Sequence, residues 1–396
     1  MRAANALKAE DSVVDRRYGP RRDSAPRRTS PYLEPHRPKK RVSSIFVARR
    51  GIARSLNSEM GYGRSADWVA GKLSRVLHLR KASHNTLADL GLYLDLSPEQ
   101  LFPAPPAIED MDVHRSLAGR LLCTTTLQWK SSHRVLSHSY RERHEGPYKK
   151  NLTAWARWVR PKNNRTRDQC LVYVHGWLEP GSWIEETTLF RKWGKELDAD
   201  LLHVALPFHG KRCPPSALFS GEFFWTADLV RSIEGVRQAV CDVRALMAWL
   251  RKQGYKRVGI TGISLGGAIA MMLACIEPSP DFIIPIIAHL ELEDAIESAP
   301  ILWRMKSDLE RFGVHSAKRR ELFTRLGLSH FVPMLSPEKQ LWIEAREDLY
   351  IDARLVEKQW NEWKQPQILW IHGGHITFPL HLDTITKRIA SFLAAG

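Results

Sequence analysis

From Cys170 onward, short apolar runs alternate with longer segments whose apolar residues recur at helical spacing. Residues 171–174, 201–206, 257–261, 282–288, 340–345 and 367–371 read as strands. Helical patterns lie between and after them, over about 184–197, 227–251, 264–275 and 354–363, with a last one running to 394. Continuously apolar strands alternating with helices predict an α/β fold, a mostly parallel sheet with helices on both faces. About fifty residues separate Ala288 from Gln340. That is more than one crossover needs, so a helical cap is expected at about 299–336. Upstream, 121–129 and 153–159 read as two more strands, joined by a polar loop containing His133, His138 and His144. The spacing of these histidines matches no usual ligand pattern and no carboxylate stands beside them, so the loop reads as basic and solvated.

The N-terminal part has a different character. Residues 1–60 carry 15 Lys/Arg against 6 Asp/Glu, which supplies +9 of the net charge of +16. A segment this polar cannot bury enough surface to order itself. Basic charge suits nucleic acid or an anionic membrane, but without regular aromatic interleaving a solvated tail is the preferred reading. Next, Trp68, Val69, Leu73, Val76 and Leu77 fall at helical spacing with Lys72, Arg75 and Arg80 opposite. This amphipathic helix is expected to pack on the domain through its apolar stripe, the alternative being a membrane surface. Residues 102–106 read as a Pro-rich linker. The chain thus divides into a tail (1–60), a helix and linker (61–110) and an α/β domain with its cap (111–396).

Five cysteines, far apart and without Cys-x-x-Cys spacing, suggest neither a disulfide framework nor a thiolate metal site. The apolar run at 282–288 is too short to span a bilayer, and the start shows no apolar core of a secretory signal. A reducing, cytoplasmic setting is the expectation.

The chemical candidates all fall just after predicted strands, where sites form in such sheets. Ser264, in Thr261-Gly262-Ile263-Ser264-Leu265-Gly266-Gly267, joins a strand to a helix through a glycine-flanked turn that would hold its hydroxyl above the sheet edge. A serine hydroxyl needs a base, itself oriented by a carboxylate, and in this chain order the acid precedes the histidine. His375 follows the final strand and is preferred to His372 at the strand end. Asp348 leaves the penultimate strand, with Glu347 beside it; Glu291, Glu293 and Asp294 occupy the other position from which an acid can come. Two backbone N–H groups should form an oxyanion hole, those of Leu265 and of Trp177 in Val174-His175-Gly176-Trp177. Trp177, His209 and Trp303 are expected around the substrate. His175, His203 and His209 invite a metal reading, but with no carboxylate at suitable spacing neither metal nor cofactor is expected. In the cap, Arg304, Lys306, Arg311, Lys318, Arg319 and Arg320 read as a solvated face, the alternative being a site for an anionic head group.

From about 170 to 394 the chain resembles the α/β-hydrolase superfamily, and more narrowly the family of α/β-hydrolase domain-containing protein eighteen. Three stretches carry the narrower likeness: Leu206-Pro207-Phe208-His209-Gly210-Lys211-Arg212, Gly254-Tyr255-Lys256 leading to the Ser264 turn, and Asp348-Leu349-Tyr350-Ile351 with Gly373-Gly374-His375. The resemblance implies an α/β-hydrolase fold, Asp348 and His375 as acid and base, and an ester or lipid as substrate. A thioester, an amide or a peptide would engage the same residues, and a non-catalytic scaffold working through its basic tail is the alternative of another class.

Overall fold

Nine strands form one sheet: β1 (Asp112–Ser116), β2 (Leu122–Lys130), β3 (Thr153–Pro161), β4 (Gln169–Val174), β5 (Asp200–Ala205), β6 (Arg257–Ile263), β7 (Ile283–Ile286), β8 (Leu341–Ala345) and β9 (Gln367–Ile371). The computed structural model describes residues 61–396 apart from 77, 117–121, 162–166, 277, 279 and 396, so the expected tail at 1–60 lies outside the described residues. Strand order is β1-β2-β3-β5-β4-β6-β7-β8-β9. The first three pairings, β1–β2, β2–β3 and β3–β5, are antiparallel. From β5 through β9 every pairing is parallel.

The helices around the site and its supports are α1 (Tyr62–Ser74), α2 (Leu189–Glu196), α3 (Leu229–Lys252), α4 (Leu265–Ala274), α5 (Leu292–Ser298), α6 (Trp303–Arg311), α7 (Ser316–Leu326), α8 (Ala353–Glu362) and α9 (Leu382–Ala395). Alternate strand residues feed two cores. Val172, Leu202, Ile260 and Trp342 pack with α3, α4 and α8, whereas Tyr173, Leu201, Ile284 and Ile343 pack with α2 and α9. Burial on both faces is why these strands read as unbroken apolar runs. Helices α5 to α7 lie between β7 and β8, where the cap is expected.

Several local expectations change. The helix expected over 184–197 breaks at Thr188 into Trp183–Thr187 and α2. The strand expected to reach 288 stops at Ile286, and Ile287 takes a φ of 45°. The loop read as solvated contains a helix, His138–Glu145, and is anchored on α3. His133 Nε2 lies 2.8 Å from Glu234, and the buried His144 ring lies 3.4 Å from Gln238. The missing carboxylate is thus supplied about a hundred residues downstream. In the cap, Arg319 is fully buried and pairs with Glu293 at 3.3 Å, so it is no part of a solvated face.

α1 corrects the expectation in the most consequential way. Gly63, Asp67, Gly71 and Ser74 are its buried residues, whereas Trp68, Val69 and Leu73 are 42%, 46% and 67% exposed. The helix packs through a narrow stripe of small and polar residues and turns its apolar stripe outward. Close approach explains the choice of side: a Cβ on Gly63 would stand 2.1 Å from the Gly374 amide nitrogen. The stretch read as a linker begins in the core, with Leu101 and Phe102 buried and Phe102 meeting Phe331 edge-on at 6.1 Å. Among the described residues no helix is long and apolar enough to cross a membrane.

Candidate active site

β6 runs into α4 through Ser264, which sits at φ 55°, ψ −114°. Such a conformation costs a non-glycine residue of order 1–3 kcal/mol and persists only under constraint. Here the constraint is steric. A Cβ on Gly266 would stand 1.9 Å from the Val174 carbonyl oxygen, and one on Gly262 would stand 2.3 Å from the Gly266 carbonyl carbon. Only glycine at both positions lets the end of β4 and the start of α4 approach this closely. Ser264 N–H donates to the Ile286 carbonyl at 2.9 Å, which ties the turn to β7. The positive end of α4 starts directly after the serine, and Leu265 brings an N–H of the first helical turn, which has no partner inside the helix.

His375 follows β9 and Asp348 follows β8. Their side chains meet, with Nδ1 2.8 Å from Asp348 Oδ2. The other carboxylate oxygen accepts the N–H groups of Tyr350 at 2.7 Å and Ile351 at 2.8 Å. With Asp348 accepting from Nδ1–H, Nε2 is left as the acceptor nitrogen. Burial by itself lowers the affinity of this imidazole for a proton. The charge of Asp348, its hydrogen bond and the charge of Asp67 outweigh burial and hold His375 above its ordinary pKa. Ser264 makes no hydrogen bond to His375 in this arrangement, although both stand beyond the carboxyl edge of the sheet.

Behind this pair lies a residue the linear reading missed. The carboxylate of Asp67, fully buried on α1, accepts N–H groups from Leu349 (2.9 Å), His375 (2.8 Å) and Ile376 (2.8 Å), and the Tyr350 hydroxyl donates to its backbone carbonyl at 2.7 Å. One carboxylate therefore clamps the loop of Asp348 to the loop of His375. Burial raises its pKa, against the three backbone hydrogen bonds that lower it. Its signal in the sequence is a single acid among Arg64, Lys72 and Arg75, on the stripe shared by Gly63 and Gly71.

The alternative acids and base are engaged elsewhere. Glu347 accepts from Gly63 N–H at 2.9 Å, Glu291 pairs with Lys358, and Glu293 pairs with Arg319. Asp294 stands in the first turn of α5. The His372 side chain is exposed and its carbonyl accepts the Tyr62 hydroxyl at 2.6 Å.

Gly176 backs directly onto the serine turn, since a Cβ there would stand 3.9 Å from Ser264 Cβ. Trp177 follows, its indole N–H donating to Gly221 O at 2.8 Å and its ring 5.0 Å from His78. Trp177 walls a cavity of about 140 Å³ together with Phe219, Trp225, Ile301 and Met305, rimmed by Arg80 and Arg304. Trp303 does not line it; Arg75 and Arg304 stack over its ring. His209 is fully buried, its ring against His175 and Phe224.

Against the expectation from spacing, carboxylates do gather at His203. Glu179 and Glu185, four and ten residues after His175, reach His203, and the three side chains bring ligand atoms within 4.8 Å of one another. The turn Trp183–Thr187 folds Glu185 back toward Glu179, which spacing alone does not reveal.

A strained serine elbow and an acid–histidine pair, set beyond the carboxyl edge of a parallel sheet, are the hallmarks of one fold. The chain has the α/β-hydrolase fold. It is similar over 80–81% of its length to two solved structures, the acetyl xylan esterase from Paenibacillus sp. R4 (TM-score 0.54, 14% identity) and acetyl xylan esterase 1 from Thermoanaerobacterium sp. JW/SL YS485 (TM-score 0.53, 13% identity), covering 98% of each. Residues 157–292 match the family model described as alpha/beta hydrolase domain containing 18. Two curated proteins of Mycobacterium tuberculosis, from strains CDC 1551 / Oshkosh and ATCC 25618 / H37Rv, each described as uncharacterized, are 32% identical over 222 residues. These matches take in 52% of this chain, and the chain spans about half the length of the curated relatives it matches.

Proposed function

We propose that the chain is a serine hydrolase that cleaves a carboxylic ester through an acyl-enzyme intermediate, and that its catalytic unit reaches back beyond residue 111 to include α1. The observation that carries this reading is the His375–Asp348 pair, 2.8 Å apart, beyond the same sheet edge as a serine held at φ 55°. The acetyl xylan esterase likenesses add support for an ester over a thioester or an amide.

In this mechanism Ser264 Oγ attacks the ester carbonyl carbon and gives its proton to His375 Nε2. The hydrogen bond between them forms as substrate is seated, since catalytic contacts often tighten only in the complex. The N–H groups of Leu265 and Trp177 receive the charge that develops on the carbonyl oxygen. The tetrahedral adduct collapses, and the departing alkoxide takes the proton from His375 and leaves as the alcohol. Water, deprotonated by His375, then attacks the acyl-serine ester and releases the carboxylic acid with Ser264 restored. Asp348 stays ionised, accepts the hydrogen bond of His375 Nδ1–H throughout, and fixes the imidazole in the tautomer that both steps need. The cavity beside Trp177 would receive a short acyl or aromatic group, with Arg80 and Arg304 at its rim.

A fluorophosphonate probe is expected to label the native chain and to leave Ser264→Ala unlabelled; equal labelling of the two would rule out Ser264 as nucleophile. The pH dependence follows from the state of His375, which acts only when neutral. Because Asp348 and Asp67 hold its pKa above the ordinary 6.5 against the pull of burial, kcat/KM should rise with pH through a midpoint above about 6.5. A pH profile on a p-nitrophenyl ester measures this, and a midpoint clearly below that value would contradict it.

A further inference from the structure

We propose that Glu179, Glu185 and His203 bind one divalent transition-metal ion, at a site separate from the residues assigned to acyl transfer. His203 Nε2 lies 2.9 Å and 3.1 Å from the two carboxylate oxygens of Glu179, and Glu185 completes a set whose ligand atoms all fall within 4.8 Å of one another. An ion about 2 Å from each ligand needs only small side-chain adjustments to sit between them.

Charge balance argues in the same direction. Glu179 and His203 are buried, and one oxygen of Glu185 is buried without a hydrogen-bond partner. Arg157, the cation across the strand pair from His203, spends its guanidinium on Glu186 at 2.9 Å and on Thr126 at 2.7 Å. Glu179 pairs with His175 and His203 and shares a side-chain hydrogen bond with Glu185. Two carboxylates held this close together and screened from solvent are stabilised by a cation between them.

The surroundings are built as a ligand shell requires. His175 Nδ1 stands 3.3 Å from Glu179 and 2.7 Å from the Gly176 carbonyl, and the Ser220 hydroxyl donates to the Glu179 backbone carbonyl. Ser182 and Arg157 fix Glu186, and with it the turn that carries Glu185. Ligands held from behind in this way are the usual mark of a metal site. A cavity of about 750 Å³, bounded by Thr126, Arg157, Trp183 and Lys211, leaves room for water ligands and a path of entry. One imidazole with two carboxylates suits the series from Mn²⁺ to Zn²⁺ better than all-oxygen Ca²⁺ sites. Glu179 lies two residues beyond Trp177, so the ion would stiffen the loop that offers an oxyanion N–H.

The test uses the full chain stripped with chelator and titrated calorimetrically with Zn²⁺ and then Mn²⁺, beside Glu185→Gln and His203→Asn. The expected result is one equivalent bound by the native chain, with affinity at least about tenfold weaker in each variant. Co²⁺ added to the native chain should give the visible bands of nitrogen and oxygen ligation, a readout that depends on no variant folding. Absence of saturable binding by the native chain, or equally tight binding by both variants, overturns the proposal, and the two carboxylates then share a proton instead.

Discussion

Asp348→Asn should lower kcat/KM on an ester substrate by on the order of 10³–10⁴-fold while leaving the fold intact. The asparagine carbonyl can still accept the N–H groups of Tyr350 and Ile351, now made to Asp348 Oδ1 at 2.7 Å and 2.8 Å, so the loop keeps its hydrogen bonds. Its amide nitrogen then faces His375 Nδ1, where Asp348 Oδ2 stands 2.8 Å away. A donor in that place selects the tautomer with its hydrogen on Nε2. That nitrogen can no longer take the serine proton. Steady-state kinetics together with circular dichroism checks both halves of the expectation, and a loss of less than about tenfold in a folded variant would remove Asp348 from the role of acid.

Asp67→Ala is expected to be the most damaging change outside the residues that meet substrate. It strands three N–H groups now held by a fully buried carboxylate, those of Leu349, His375 and Ile376, where the Asp348 and His375 loops meet. A donor left without a partner costs about 1–3 kcal/mol when buried and less when water reaches it, so a net destabilisation of about 2–4 kcal/mol should appear in denaturant titrations. Displacing the base by about an ångström should cost activity on the order of 10²-fold. Asp67→Asn should keep one acceptor and recover part of both losses. It also removes a negative charge that helps to raise the His375 pKa, so the acidic limb of its pH profile should move to lower pH. A purely structural residue would alter stability and leave that limb in place, so an unmoved limb would deny Asp67 its electrostatic role.

The parallel half of the sheet was legible because its strands are buried on both faces and read as apolar runs, and Ser264 stood out because a strand, two crowded glycines and a helix are contiguous. Asp348 and His375 could be named from chain order, as each leaves the end of a strand. What escaped depends on contacts between distant parts of the chain. Asp67 binds amides 282 to 309 residues away, and nothing local marks a lone acid as their acceptor. The outward turn of α1 escaped for a related reason. Amphipathic patterning assumes that burial of apolar surface decides which side packs, whereas here the close approach of Gly63 to Gly374 and the hydrogen bonds of Asp67 decide it. Glu185 went unremarked because a broken helix, unseen in the periodicity, carries it to His203.

The clamp at Asp67 also bears on when the protein becomes competent during synthesis. Its carboxylate is among the first described residues to leave the ribosome, and its partners His375 and Ile376 are among the last. Contacts across so many residues carry the entropy of closing a very long loop, and they form only after the intervening sheet has brought the two ends together. A nascent chain can therefore complete β4, β5, β6 and the serine elbow and still hold no ordered His375. Chains released early, short of β9, would present a strained Ser264 without the proposed base.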